Sequence, residues 1–289
     1  MSKNPFKPVA KPNFFILGAG KSGSTSLYYI LKQHPEIHMS PIKEPVFFCE
    51  DFQVVKNPIQ YFELFSPEKG EKLLGEASHA YLSNPSSPKV LKLLFPEAKF
   101  IVIMRNPVDR AYSLFNHQKR SGDELIKNFD KALKAEEGRF KSKKFRKCCT
   151  EYFYNQMYFR SGLYGEQIER YFSYFDKEQF QFLTLSQLKN DPLSTVKKIW
   201  KFLGADPDFT PEFKVRNKGK VTARFPLIQR IWNRKPGFPE FIRYRGMRIL
   251  RVINGKKIPP MKKSTREMLT ERYQKDWEKL YRLTGIKFQ

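Results

Sequence analysis

Cysteine is scarce in this chain. Cys49 and the adjacent Cys148 and Cys149 are its three cysteines, too few and too poorly spaced for a disulfide framework or a paired Cys-x-x-Cys metal site, so a reducing compartment is the default. The four histidines, His34, His38, His79 and His117, show no ligand spacing, and no metal is expected. Long apolar runs are missing as well. Nothing approaches the ~20 apolar residues that span a bilayer, and the basic stretch from Met1 to Pro12 lacks the apolar core of a leader. A cytoplasmic location without a membrane span is the resulting expectation. Acidic residues are also short, 29 against 54 Lys and Arg, which leaves a formal charge of +25. Such a field concentrates anionic partners. It does not choose among nucleic acid, an acidic membrane, a sulfated or uronic polysaccharide and a bis-phosphorylated nucleotide. No repeat or low-complexity tract is present.

What is present is a phosphate cradle. Phe14-Phe-Ile-Leu-Gly-Ala-Gly-Lys-Ser-Gly-Ser-Thr-Ser-Leu27 reads as an apolar strand, a glycine-rich turn and a helix start. Glycines let the backbone approach a ligand closely, and the N–H groups that open the helix supply donors and a positive dipole end. A nucleoside-triphosphate loop needs Lys directly after its last Gly, then Ser or Thr for magnesium. Gly18 and Gly23 have that separation, but Ser24 follows Gly23 and the only lysine, Lys21, sits inside the loop. Phosphate binding is retained while the triphosphate pattern is not. Lys21, with Gly20, Ser22, Gly23, Ser24, Thr25 and Ser26, forms the candidate site.

Period and caps organise the rest. Ser24 to Leu31 is expected as a helix, Ile37 to Met39 and Lys72 to Ala77 as strands, and the stretch from Ser86 to Phe95 as a helix. Lys99-Phe-Ile-Val-Ile-Met104 is the clearest strand, apolar on both faces as a central parallel strand is. Asn106 can cap the next helix with Pro107 at its first position. Residues 120–150 turn polar and read as a mobile insertion with one weak helix around 129–137, a plausible acceptor-facing surface. A helix over 164–175, a strand over 181–185 and a helix over 192–203 restore the alternation that implies a parallel sheet with right-handed crossovers. Residues 211–263 are strongly basic, and an amphipathic helix covers 264–283. A tail over 1–12 and one domain over 13–289 are expected.

The loop at 18–27, read with Arg105-Asn-Pro-Val-Asp-Arg-Ala-Tyr-Ser113, resembles the signature of the sulfotransferases that use 3′-phosphoadenosine 5′-phosphosulfate, PAPS. Lys43-Glu-Pro-Val-Phe-Phe48, Gly75-Glu-Ala-Ser-His-Ala-Tyr-Leu82, Lys201-Phe-Leu-Gly204 and Asn217-Lys-Gly-Lys220 extend the resemblance over most of the chain. It implies a P-loop-like, three-layer α/β/α sandwich around a parallel sheet. It implies Lys21 as the catalytic lysine and Glu44 as the base, although Val46 and Cys49 stand where glycan enzymes commonly carry His and Asp. Arg105 and Ser113 would hold the 3′-phosphate, and Lys218, Gly219 and Lys220 would close over the nucleotide. Glu76 and His79, at a strand end, are candidates to contact the acceptor, with Glu76 an alternative base. The implied reaction is sulfuryl transfer to a hydroxyl or amine, of a carbohydrate by preference, with PAPS as co-substrate and no metal.

Two other functions fit parts of the pattern. A nucleotide or small-molecule kinase could use the same cradle with ATP and magnesium, but the displaced lysine and the Arg in place of a magnesium-orienting Asp after the central strand disfavour it. A non-catalytic polyanion binder could live on charge alone. No specific nucleic-acid partner is expected.

Overall fold

Strand β1, Phe14–Gly18, is buried along its whole length. Successive side chains of a strand point to opposite faces, so Phe14 and Ile16 fill one side and Phe15 and Leu17 the other. That pattern requires cover on both. The computed structural model describes residues 10–67, 69–214, 221–234, 246, 249–250 and 252–288. The strands that share its sheet are β2 (Ile37–Met39), β3 (Leu73–Ala77), β4 (Lys99–Met104) and β5 (Phe180–Thr184). They form one sheet in the order β2-β3-β1-β4-β5, parallel at every pairing.

On one face, Phe14, Ile16, Ile101 and Ile103 pack with α1 (Ser24–Leu31) and α10 (Pro192–Leu203), reached after α2 to α9 below. Helix α10 shows why it forms where it does. Asp191 accepts from Ser194 N at 3.1 Å, Pro192 takes the first position, and Gly204 ends the helix at φ 85°. Its Val196, Ile199, Trp200 and Leu203, at helical spacing, are all buried. Each contributes about 1.5–3 kcal/mol by leaving water. The other face is aromatic: Phe15 and Phe100 stack at 6.0 Å, with Phe95, Tyr81 and Tyr171 against them. Those rings come from α3 (Ala80–Ser83), the residue after α4 (Ser87–Leu94), and α8 (Tyr164–Phe172). Helices on both faces of a parallel sheet make the expected α/β fold.

The described residues group into two compact units. The first takes those of Met1–Arg105, Gly165–Arg216 and Leu280–Phe288 and contains the sheet; the second takes those of Asn106–Tyr164 and Asn217–Lys279. The core of the second joins Val108, Leu114 and Phe115 of α5 (Pro107–Ser121), Phe129 and Leu133 of α6 (Phe129–Lys141), Tyr158, and Leu269 and Tyr273 of the terminal helix Lys263–Thr284. Residues 120–150 thus carry more structure than one weak helix. Asn128 caps α6, a second helix α7 spans Lys143–Cys148, and buried Glu124 takes both Arg139 guanidinium nitrogens at 2.7 and 2.9 Å and the Tyr158 hydroxyl at 2.7 Å. The short helices α2 (Pro58–Glu63) and α9 (Leu185–Asn190) were not expected from period. Among the described residues no helix is long and apolar enough to cross a membrane.

Candidate active site

A parallel sheet delivers the carboxyl ends of all its strands to one edge, where open α/β folds bind ligands. In the first unit that edge receives the loop after β1, the segment carrying Glu44 after β2, Ser78 and His79 after β3, and Arg105 after β4. Lys21, Glu44, His79 and Arg105 therefore share an edge, as the sequence motifs require.

The loop owes its shape to backbone conformations that few residues tolerate. Gly18 and Gly23 have φ 120° and 99°, and Lys21 itself is left-handed at φ 68°. Ala19 N donates to Ile103 O at 2.6 Å and Ser22 N to Ala19 O at 3.2 Å, which ties the turn to β4. A Cβ on Gly20 would stand 2.9 Å from Cδ2 of His79, so the imidazole lies directly on the loop. Helix α1 opens with Gly23 at its cap, a residue with no side chain to bond the first N–H groups. The amides of Ser24, Thr25 and Ser26 are thus available to an anion. Ser22 is fully buried, and its hydroxyl has no hydrogen-bond partner among the described residues. A buried unsatisfied hydroxyl costs about 1–3 kcal/mol, which a bound oxyanion would recover.

Glu44 stands at φ 63° in a turn that also holds Val46 at φ 50°. Its amide donates to Ala77 O at 3.0 Å, and its Oε2 accepts from the His79 amide at 2.8 Å. Nδ1 of His79 lies 2.8 Å from the same oxygen, and Lys43 Nζ holds Oε1. Burial on its own would raise the Glu44 carboxyl, but the charges and hydrogen bonds of His79 and Lys43 outweigh it and hold the group down at about 2. Glu44 is therefore an anion throughout the working range.

Glu76 is placed differently from its expectation as an acceptor contact or alternative base. It is fully buried, with Tyr61 donating to Oε2 and the Ser78 hydroxyl donating to Oε1 at 2.5 Å. A side chain with no exposed surface cannot meet an acceptor. Burial pushes its carboxyl up to about 7, against the lowering hydrogen bonds of Ser78, Tyr61 and Tyr81 and with the Glu44 charge adding to the rise. Ser78, Tyr61 and Lys43 are the partners that sequence reasoning did not select. Lys43 and Ser78 stand beside Glu44 and Glu76 within the motifs, whereas Tyr61 comes from α2 and has no such signal.

Arg105 follows β4 and is half-buried. Ser113 belongs to the second unit, on α5 two turns beyond the Asn106 cap, whose Oδ1 accepts from Val108 N at 3.0 Å and Asp109 N at 3.4 Å. Its assignment to the donor rests on the sequence motif. Lys218, Gly219 and Lys220 lie outside the described residues.

Comparison with known proteins identifies the pattern. A family model described as the sulfotransferase domain matches residues 11–217. The chain is 30% identical over 210 residues to bifunctional heparan sulfate N-deacetylase/N-sulfotransferase 4 of Mus musculus, covering 68% of this chain and 23% of that protein. With carbohydrate sulfotransferase 15 of Mus musculus it shares 29% over 253 residues, 70% of this chain and 45% of that one. It thus spans less than half the length of either relative. The crystal structure of a sulfotransferase from Alicyclobacillus acidocaldarius superimposes with a TM-score of 0.74 at 28% identity, over 97% of this chain and 98% of that one.

Proposed function

The chain belongs to the sulfotransferase domain family, and from that premise we propose that it transfers a sulfuryl group from PAPS to a hydroxyl or amine of a carbohydrate. Family membership favours sulfuryl transfer over the kinase and polyanion-binder readings. The observation that carries the proposal is the loop after β1: a left-handed Lys21, a buried Ser22 hydroxyl without a partner among the described residues and an α1 N-terminus capped only by a glycine, on the same sheet edge as ionised Glu44. That donor set fits a phosphosulfate. The donor, when bound, supplies an activated sulfur with a phosphate leaving group.

In the proposed reaction the acceptor oxygen or nitrogen bonds to sulfur as the bond from sulfur to the bridging oxygen breaks. Lys21 neutralises the charge that grows on the departing phosphate, and the amides of residues 22–26 with their hydroxyls hold its oxygens. Arg105, at the end of the neighbouring strand, holds the nucleotide's 3′-phosphate as a charge-assisted donor. The acceptor's proton goes to Glu44. Because Oε2 of Glu44 engages both the amide and Nδ1 of His79, a second reading is that Glu44 fixes the imidazole and the ring takes the proton. Carbohydrate is proposed as acceptor from the names of the relatives and from the charge of +25.

Incubation with labelled PAPS and a panel of desulfated heparan-type polysaccharide, other glycans, lipids and small alcohols tests the proposal. Label is expected in a glycan. Transfer to lipid or alcohol only would refute the acceptor class, and no transfer together with no binding of 3′-phosphoadenosine 5′-phosphate, PAP, would refute the activity.

A further inference from the structure

The turn that carries Glu44 is held from below by a carboxyl group that the reaction itself does not use. Two of its residues, Glu44 and Val46, adopt left-handed φ angles on either side of Pro45. For a β-branched residue such as Val46 that conformation is a genuine outlier, costing about 1–3 kcal/mol, and persists only when the surroundings over-determine it. Three hydrogen bonds do so. Glu44 N donates to Ala77 O, the His79 amide donates to Glu44 Oε2, and Val46 N donates to the Ser78 hydroxyl at 3.1 Å. The third bond leads to Glu76. The same Ser78 hydroxyl gives its proton to Glu76 Oε1 at 2.5 Å, so its orientation, with the lone pairs toward Val46, is fixed by an acceptor at Glu76.

We propose that Glu76 is a positioning residue: through the Ser78 hydroxyl it holds the Glu44–Val46 turn, and with it the Glu44 and His79 pair, in the geometry that receives the acceptor's proton. The inference rests on the proposed transfer reaction and deepens it. Ionised Glu76 accepts from both Ser78 and Tyr61. Once protonated it must donate on one oxygen, so one of those hydroxyls has to turn away. The groups that act on it are Tyr61 from α2, Tyr81 from α3, Ser78 beside it and the Glu44 carboxylate from the turn. A purely structural role would be served better by a neutral side chain. A fully buried carboxyl beside a second carboxylate is costly to ionise, and nothing in packing requires it.

The test measures PAP release from PAPS, with water or the accepted glycan as acceptor, for wild type, Glu76→Gln, Ser78→Ala and Ser78→Thr across about pH 5 to 9. Wild-type kcat is expected to rise as pH passes about 7. Glu76→Gln and Ser78→Ala are expected to lose about tenfold or more in kcat with KM for PAPS unchanged, because a misplaced base slows chemistry without weakening donor binding. Glu76→Gln should also lose the inflection, while its melting temperature above pH 7 stays at or above that of wild type. Ser78→Thr, which keeps the hydroxyl, should recover most of the rate. Wild-type kcat and pH profile in both Glu76→Gln and Ser78→Ala would overturn the proposal, as would a loss in exact step with stability. The transfer reading fails in a different way, by absence of wild-type turnover and of PAP binding.

Discussion

Two carboxyls near the end of β3 are pushed apart in acidity, Glu44 down to about 2 and Glu76 up to about 7, from an ordinary 4.5. Their consequences for folding have opposite signs. Glu44 has a depressed folded pKa, so its contribution is fully present above 4.5 and is lost as pH falls through 2. Glu76 has a raised one: its contribution is present below 4.5 and is lost as pH rises toward 7. Each shift corresponds to roughly 3 kcal/mol. Denaturant titrations against pH should show this pair's stabilisation greatest near 4.5, with Glu44→Gln flattening the acid limb and Glu76→Gln the limb above it. Limbs that survive both substitutions would refute the assignment. The two cations proposed to hold the donor separate kinetically instead. Lys21→Ala should lose about 100-fold or more in kcat, by removing charge needed only at the transition state, while Arg105→Ala should chiefly raise KM for PAPS. Lys21 and Arg105 were legible because each follows an apolar strand in a recognisable motif. The burial of Glu76 was not, since it depends on Tyr61 arriving from a helix with too short a period to read.

At the level of elements, strong local signals carried most of the fold. The apolar run of β4, the Asn106-Pro107 start of α5 and the Asp191-Pro192 start of α10 are written within a few residues each, and the structure has all three. Helix α2 also has such a cap, with Asn57 Oδ1 accepting from Ile59 N at 2.8 Å, but its six residues give no periodic face to support it. Gly75 shows what no local signal carries. It is paired with Phe14 of β1 on one side and Met39 of β2 on the other, and a Cβ there would stand 2.1 Å from Cζ of Phe14 and 2.6 Å from Sδ of Met39. The reason for that glycine lies in the register of three strands. Gly75→Ala should therefore destabilise the first unit by about 1–3 kcal/mol or more through overpacking, read as a lower denaturant midpoint. A wild-type midpoint would mean that the sheet yields there.

Across the whole molecule the net charge of +25 and the two compact units make separate, testable demands on donor binding. The loop, Glu44, His79 and Arg105 all belong to the first unit. A ligand that binds only the folded form stabilises it by mass action, about 2.7 kcal/mol at a hundredfold excess over Kd. The chain offers its own reporters of where that free energy enters: Trp200 is buried in the first unit, and Trp277 belongs to the second. Single-tryptophan variants, with Trp232 replaced in each, should show the Trp200 melting transition rising by several degrees with PAP in the absence of magnesium, and rising less with ATP and magnesium. Added salt should reduce the shift, because screening falls to a length of about 10 Å at 0.1 M and weakens the field that draws in the anion. A shift seen by Trp277 alone, or one equal for ATP with magnesium, would remove the donor from the sheet edge to which Lys21 and Arg105 assign it.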